Sequence, residues 1–273
     1  MPKISLAQLR RIADVQRWFE QLGKRSIQFF GDSGGISILF WQALRATIFR
    51  PFRWQNTVVQ AYKIGVASLP LVMLTSLFTG MVLSLQSAYQ LRLFSAEQFT
   101  SDLVALSLTR ELGPVLTAMM VAGRVGASIA AELGTMKVTE QIDALKSLAT
   151  DPVHYLVVPR FVATVTMLVI LTIYSDVVGI FGGYIVGVFK LGISSYQYLH
   201  RTITVLILKD VYTGLIKSFF FGIIVSIVGC YYGFKAKGGA EGVGYATTMA
   251  VVVSFITIIV FDMFFTALFY FAF

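Results

Sequence analysis

Charged residues are scarce in this chain of 273 residues: Asp, Glu, Lys and Arg make up only 13% of it, whereas 56% of its residues are hydrophobic. The mean hydropathy is +0.76, which is outside the balance of a soluble globular domain. A helix that spans the lipid needs about 20 apolar residues, so the chain can hold several spans. The scarcity of charge therefore excludes a soluble domain and predicts one membrane domain.

Side chains that perform covalent chemistry are also scarce. The single cysteine, Cys230, excludes an intramolecular disulfide and a cysteine cluster for a metal. Neither His154 nor His200 has a metal-like neighbour at short spacing, and no nucleophile, base and orienting group come together in the sequence. The sequence GxxxxGK[ST], which cradles phosphate in ATPases, is missing. We therefore expect no catalytic residue, no metal and no cofactor in this chain.

The formal charge of +8 does not indicate binding to nucleic acid, because Lys and Arg in a membrane protein mainly mark the loops that stay in the cytoplasm. Five apolar segments are predicted to cross the membrane as helices, at about 65–91, 103–131, 161–190, 211–234 and 247–271. The segments on the same side of the membrane as the N-terminus hold fifteen Lys and Arg residues. The loops on the opposite side hold only Arg92, Lys190, Arg201 and Lys209. The N-terminus is therefore predicted to be cytoplasmic and the C-terminus periplasmic.

Residues 3–30 have the pattern of an amphipathic helix in a membrane interface, although a helix packed on a protein partner is the alternative. Glycines in 31–35 predict a break, and 36–54 is too charged to span. Basic side chains oppose an apolar arc in this helix; they are Arg10, Arg17, Lys24 and Arg25, and the arc holds Ile4, Leu9, Ile12, Val15, Trp18, Phe19, Leu22, Phe29 and Phe30.

Three spans carry small residues at four-residue spacing, which lets helix backbones approach closely. We expect at least one of these stripes to pack inside the subunit, and a seam between two copies is the alternative. The stripes are Ala118, Ala122, Gly126, Ala130, Gly134; Ser175, Gly179, Gly183, Gly187; and Ser218, Gly222, Ser226, Cys230.

Charges inside the spans are candidates for function, since each costs roughly 2.5–3.5 kcal/mol on insertion scales. Arg110 and Glu111 point about 100° apart, so they need different partners, and Gly113-Pro114 should loosen the helix. The alternative is that both reach water at the outer interface. Gln86 and Tyr89 are either contacts for a lipid head group or ordinary interface anchors.

Arg124 follows Arg110 by 14 residues and should lie on roughly the same helix face. It needs a carboxylate or carbonyl partner, and Asp176 and Asp262 are the candidates. Proton coupling through Asp176 is one interpretation, and a paired structural acid is the other.

A short helix is predicted at 139–148, with Ile142, Leu145 and Leu148 on one side, and it ends before Asp151-Pro152. It is either a surface that binds a partner or a loop that rests on lipid.

Several sequence motifs occur together in this chain. They are ELG (132–134), TEQIDAL (139–145), DP (151–152) and PR (159–160), together with GMVLSLQ (80–86), SLTRELGPVLTAMMVAGRVGA (107–127), GAEGVGYATTMAVV (239–252) and Asp262 near TAL (266–268). With these motifs the sequence resembles the MlaE family of ABC permeases. The resemblance covers about 65–273, whereas residues 1–60 match only in general character. Asp176 and Tyr245 depart from the family pattern.

The resemblance implies an all-α polytopic protein with N-terminal interfacial helices (1–60) and a five-span permease domain (61–273) that forms a homodimer in the cell inner membrane. It implies that separate ATPase subunits bind ATP and Mg, that an MCE-domain protein is the lipid-binding partner, and that the cargo is phospholipid or a related lipid. The helix at 139–148 would be the coupling helix, with Thr139, Glu140, Gln141, Ile142, Asp143, Ala144 and Leu145 at the ATPase. The lipid cavity between subunits would be lined by Arg110, Glu111, Gly113 and Pro114.

Two other function classes stay open. One is a stand-alone transporter driven by protons through Glu111, Asp176 and Asp262. The other is a scaffold without transport activity, or an intramembrane enzyme, against which the lack of a catalytic set counts.

Overall fold

The protein is helical throughout the part that the computed structural model describes, which is residues 6–49, 51 and 53–272, and no strand occurs among these residues. The α-helices are α1 (Leu6–Phe49), α2 (Trp54–Ile64), α3 (Leu69–Arg92), α4 (Thr100–Ser107), α5 (Gly113–Val121), α6 (Ala127–Val138), α7 (Gln141–Ser147), α8 (Val158–Phe189), α9 (Ser195–Val205), α10 (Leu208–Lys235) and α11 (Gly239–Ala272). The predicted all-α class is confirmed.

Five helical units are long and apolar enough to cross a membrane, as predicted. We call them the first to fifth spans: Trp54–Arg92, Glu97–Val138, Val153–Phe189, Leu208–Lys235 and Gly239–Phe271. Each extends past its predicted apolar segment because a helix continues through polar residues once its backbone hydrogen bonds are established. The chain is therefore a multi-pass membrane protein.

The third span is the centre of the helix bundle. Its α8 packs against α3 on one side and α10 on another, while α11 packs on α10 and α6. Two thirds of the apolar window of the third span is buried (67%), against 22% for the first span and 17% for the fifth. The first and fifth spans therefore turn most of their apolar surface outward.

All three stripes of small residues have members packed inside the subunit, which confirms the expectation for at least one. Ala118, Ala122 and Ala130 are fully buried. A Cβ atom added at Gly179 would meet the Leu108 side chain at 3.0 Å, and one at Gly222 would meet the Val165 Cα at 2.8 Å. Small residues here let α8 approach its neighbours on the second and fourth spans.

The break predicted at 31–35 is wrong, because α1 runs without interruption from Leu6 to Phe49. Gly35 packs so closely on Tyr231 that an added Cβ would lie 2.5 Å from the ring. Asp32 accepts a hydrogen bond of 2.9 Å from the Tyr231 hydroxyl and pairs with Lys235. The glycine allows α1 to dock on α10, and these contacts offset its poor helix propensity.

The apolar arc predicted within 3–30 falls mostly outside the described residues. Neither Ile4 nor the side chains of 6–22, Arg25 and Phe29 are described. The amphipathic character of this segment therefore stays a prediction.

The second span is not a regular α-helix. It contains two π-helical segments, Leu108–Leu112 between α4 and α5, and Ala122–Gly126 between α5 and α6. Pro114 has no N–H to donate, and the N–H of Gly113 bonds to the Leu108 carbonyl five residues back. The loosening predicted at Gly113-Pro114 is therefore confirmed, and it lies directly beside the charged residues.

Candidate functional site

A buried lysine joins the second, fourth and fifth spans. The Nζ atom of Lys217, on α10, lies 2.5 Å from Glu111 Oε2 and 2.9 Å from Asp262 Oδ1. It also donates to the Thr266 hydroxyl at 2.8 Å. The side chain of Lys217 is only 2% exposed. Such a cation is stable among apolar helices because two carboxylates neutralise it.

A second ion pair lies beside this cluster. Arg110 places Nε at 2.7 Å and Nη2 at 2.6 Å from the same oxygen, Oδ1 of Asp210. The Asp210 side chain is 3% exposed and that of Arg110 is 51% exposed. Asp210 and Lys217 are two turns apart on α10. The adjacent residues Arg110 and Glu111 therefore bind different partners, as the separation of 100° between their side chains predicts.

These side chains line a cleft of about 340 Å³, which we call the charged cleft. Its floor is ionic, and Phe269 and Tyr270 at the end of α11 give it an aromatic wall. The lining residues are Arg110, Glu111, Lys209, Asp210, Thr213, Lys217, Thr266, Phe269 and Tyr270. Polar groups on the floor beside an aromatic wall suit a molecule with a polar head and an apolar body.

Arg124 does not pair with Asp176 or Asp262. Its Nη1 donates a hydrogen bond of 2.6 Å to the Ser68 hydroxyl, at the start of the first span's long helix. Asp262 is engaged by Lys217 instead. The expectation that Arg110 and Arg124 share a face is also not met, because each reaches a different neighbouring helix. The π-helical segments change the 100° phase on which that expectation depended.

The short helix predicted in the loop after the second span is present as α7. It begins at Gln141, later than predicted, because Glu140 has a left-handed backbone (φ 60°) that no α-helix continues. Ile142 is buried and Leu145 packs against the core, whereas Leu148, predicted on the same side, is exposed because it lies beyond the end of α7. Of the residues predicted at the ATPase, Thr139, Glu140, Gln141, Asp143 and Ala144 are exposed, Leu145 is half-buried and Ile142 is buried.

Two lysines hold the carboxylate of Asp143. Lys137, on α6, lies 2.8 Å from Asp143 Oδ2, and Lys146 lies 3.1 Å from Oδ1. Hydrogen bonds from Lys137 and then Lys146 hold the pKa of Asp143 below its usual 3.8. The first of these pairs fastens α7 to the end of the second span.

The family profile described as "Permease MlaE" matches residues 57–268. The chain belongs to the MlaE permease family.

Relatives of this MlaE permease carry transporter names. A protein of Rickettsia felis, named "Probable ABC transporter permease protein", is 48% identical over 91% of this chain and 96% of its own length. The "Intermembrane phospholipid transport system permease protein MlaE" of Haemophilus influenzae is 37% identical over 93% of this chain and 98% of its own. "Protein TRIGALACTOSYLDIACYLGLYCEROL 1, chloroplastic" of Arabidopsis thaliana is 35% identical over 86% of this chain and 67% of its own.

Not every predicted site residue of this MlaE permease reaches the charged cleft. Gln86 and Tyr89 are exposed on α3 and do not line it. Gly113 and Pro114 are buried. The Oδ1 atom of Asp176 lies so close to Gly113 that an added Cβ would be 1.8 Å from it, and this oxygen has no hydrogen-bond partner among the described residues.

Sequence reasoning missed the central residue of the cleft, Lys217, together with Asp210 and Thr266. A lysine inside an apolar span was the available signal for Lys217. The seven-residue spacing from Asp210 to Lys217 was a second one, because it puts an acid and a base two turns apart on one helix face. Their partners Arg110 and Glu111 could not be read from the sequence, since they lie about a hundred residues away along the chain.

Proposed function

We propose that this MlaE permease is the membrane-spanning subunit of an ABC transporter that moves phospholipid or a related lipid, and that a separate subunit supplies ATP hydrolysis. The charged cleft is the observation that carries the proposal, because it places cations, carboxylates and aromatic rings together between helices whose outer surfaces are apolar. The names of the relatives from Rickettsia felis and Haemophilus influenzae agree with it.

Within the cleft, Arg110 is the group best suited to a lipid phosphate. A guanidinium has five N–H donors, and both of the bonds that Arg110 makes to Asp210 end on one oxygen. The remaining donors of a half-exposed side chain are available to a phosphate. Lys217 is fully committed to Glu111 and Asp262, so its role is to position Glu111 and hold the three spans together.

The outward face of α7 is the proposed contact for the ATPase. Ile142 anchors the helix in the core, while Glu140, Gln141 and Asp143 remain outside. Because α7 directly follows the second span and is tied to it through Lys137, a displacement of α7 reaches the span that carries Arg110 and Glu111. ATP and Mg would bind in the partner, and this chain needs no cofactor for such a role.

The remaining parts of the proposal concern assembly. The chain would lie in the inner membrane with α7 and the N-terminus in the cytoplasm and the C-terminus outside, as the distribution of Lys and Arg predicts. Residues 1–60 would form the interfacial region and 61–273 the permease domain. Two copies would meet through the first and fifth spans, whose apolar surfaces are the least covered, and an MCE-domain protein would exchange lipid at the end where the charged cleft lies.

The first experiment is copurification of the tagged protein from its native membrane. We expect an ATPase to accompany the wild type and the Glu241→Lys control, whose charge change lies at the exposed start of α11. The ATPase should be lost from a Glu140→Lys, Asp143→Lys variant that elutes at the same volume as the wild type. If no ATPase accompanies any of them, and the purified protein alone moves lipid between liposomes, the proposal fails and a proton-driven transporter replaces it.

A further inference from the structure

A second cleft lies in the other half of the second span. It has a volume of about 380 Å³ and lies between two parts of the chain: α2 with the turn that follows it, and the π-helical segment Ala122–Gly126 with α6. We call it the Arg124 cleft; the lining residues with a charge or a hydroxyl group are Tyr62, Lys63, Arg124, Ser128 and Glu132. None of these residues lines the charged cleft.

The charges in the Arg124 cleft are unbalanced. Glu132, its one acidic residue, is engaged by Arg160 at 2.8 Å. Arg124 donates to the neutral Ser68 hydroxyl, and no carboxylate lies within ion-pair distance of it among the residues whose side chains the structure describes, which are 23–24, 26–28, 30–49, 51 and 53–271. An arginine in an apolar span is costly unless it is paired. The cleft therefore offers the cations of Arg124 and Lys63 to an anion from outside this part of the chain.

The second span has the same irregularity at both arginines. Arg110 lies in the π-helical segment Leu108–Leu112, and Arg124 lies in the segment Ala122–Gly126. Segments of this kind occur often at functional sites, because they turn a side chain out of the regular helical register. The two arginines are 14 residues apart, which is about 20 Å along a helix of 1.5 Å per residue. In a hydrocarbon core of about 30 Å, the two clefts lie in opposite halves of the membrane.

We propose that the Arg124 cleft binds the phosphate of a phospholipid from the leaflet on the α7 side, as a second head-group site separate from the charged cleft. The Arg124 guanidinium and the Lys63 ammonium would hold the phosphate oxygens, and the Ser128 and Tyr62 hydroxyls lie in the same cleft. Leu71 and Leu74, four and seven residues after the lining residue Ala67, are exposed apolar side chains of α3. A lipid matches both the charges and these apolar side chains, whereas soluble phosphate has no group to cover them.

This inference rests on the proposed function insofar as the bound lipid is cargo. A phosphate site in each half of the membrane lets one lipid be held by its head group before and after it crosses. The same helix carries both arginines, so a movement of the second span alters both sites together.

The test uses full-length protein in detergent, labelled with phosphatidylglycerol that carries a diazirine near the head group. Labelled peptides are identified by mass spectrometry. We expect labelling at 60–67 and 124–132, and a decrease of about tenfold there in Arg124→Gln, because a lost charge-assisted hydrogen bond weakens binding by about that factor. Labelling at 209–217 should be unchanged. Arg110→Gln should give the reverse pattern.

Two controls separate the phosphate from the acyl chains and binding from folding. Diacylglycerol with the same diazirine has no phosphate, so the wild type and Arg124→Gln should label equally weakly with it. Lys63→Gln changes an exposed side chain at the end of α2, so we expect it to leave the fold unchanged. It should still lower labelling by phosphatidylglycerol at 124–132, by about threefold.

Labelling at 124–132 that is the same in wild type and Arg124→Gln would overturn the inference. So would displacement of the probe by millimolar inorganic phosphate, which would assign the cleft to a soluble anion. A change of the Arg124→Gln protein from two copies to one, with labelling unaltered, would instead pair Arg124 with a second copy of the chain. If the wild type transports lipid with ATP but Arg124→Gln labels at 124–132 as the wild type does, only this site is refuted. If labelling at 124–132 depends on Arg124 but the wild type transports no lipid, only the proposed function is refuted.

Discussion

At the scale of single residues, Lys217 is the group on which the charged cleft depends. It is the only cation that contacts both Glu111 and Asp262 among the described residues. Removal of one member of a buried ion pair leaves an uncompensated charge and costs about 3–5 kcal/mol, whereas replacement of the whole group by neutral residues is often tolerated. The lysine and its two acids should therefore behave as one unit.

We expect Lys217→Met to lower the thermal unfolding midpoint in detergent by several degrees, because it leaves two carboxylates facing each other. The triple variant Lys217→Met, Glu111→Gln, Asp262→Asn should recover most of that loss. The measurement is thermal unfolding followed by intrinsic fluorescence, with Lys209→Met as the control for a lysine lost at the cleft margin. A triple variant no more stable than the single one would contradict the ionic account.

Asp143 should make α7 sensitive to acid. Its pKa is held below the usual 3.8 by Lys137 and Lys146, so the stabilisation that it provides is present at neutral pH and is lost as pH falls through this lowered pKa. In hydrogen exchange, amides of 141–147 should therefore lose protection as the pH falls below about 4, beyond the intrinsic pH effect. The Asp143→Asn protein should lack this additional loss, and equal profiles for the two proteins would refute the assignment.

Sequence reasoning found Arg110, Glu111, Arg124 and Asp262 because a charge within an apolar run is conspicuous wherever it occurs. It did not find their partners. Arg124 shows the reason: its hydrogen bond goes to Ser68, a residue without charge or unusual context, and only the packing of the first span on the second brings them together. The tertiary packing of the spans decides which partner a charged side chain binds. The helical periodicity of 100° per residue can therefore exclude a shared partner, but it cannot identify the partner that is bound.

At the scale of helices, glycine positions decide how closely the spans approach. Gly80 of α3 faces Gly179 of α8, where an added Cβ would lie 1.8 Å from the Gly179 carbonyl oxygen. Gly34 of α1 has no atom within 4 Å of its added Cβ. Two glycines in helices of the same chain therefore have opposite roles.

Gly80→Ala should destabilise the protein by about 1–3 kcal/mol, because α3 must move away from α8. Gly34→Ala should be neutral or stabilise by up to about 1 kcal/mol, because alanine has the higher helix propensity and meets no neighbour. Unfolding in denaturant, followed by circular dichroism, compares the two with the wild type. Similar losses for both variants would show that close approach is not the function of Gly80.

The same contrast explains why α1 was mispredicted. Local propensity reads 31–35 as a break, yet Gly35 is where α1 touches Tyr231 and Asp32 is where it binds Lys235. Both contacts join residues about 200 positions apart, so the local sequence does not predict them. By contrast, the five spans were predictable, since hydropathy over about 20 residues decides membrane insertion with little help from tertiary contacts.

At the scale of the whole molecule, the second span connects the charged cleft, the Arg124 cleft and α7. It carries Arg110 and Glu111 of the charged cleft, Arg124 of the second cleft, and at its end Lys137, which holds α7. Its two π-helical segments contain Arg110, Glu111 and Arg124, and the regular helix α6 lies between the second segment and α7. This arrangement places the regions on one helix, but it does not make them one site, and their functions should be separable by mutation.

That separation is testable in liposomes that contain the protein together with its ATPase partner. Arg110→Gln should retain the ATPase and lower ATP-dependent lipid transfer by about tenfold or more, because it removes the donors available to the phosphate. Glu140→Lys should lose the ATPase, and therefore transfer, while still labelling with photoreactive phosphatidylglycerol at 209–217 as the wild type does. Glu241→Lys should match the wild type in all three measurements. If Arg110→Gln also released the ATPase, or Glu140→Lys also abolished labelling, the cleft and α7 would form a single cooperative unit, and the assignment of lipid to one and ATPase to the other would fail.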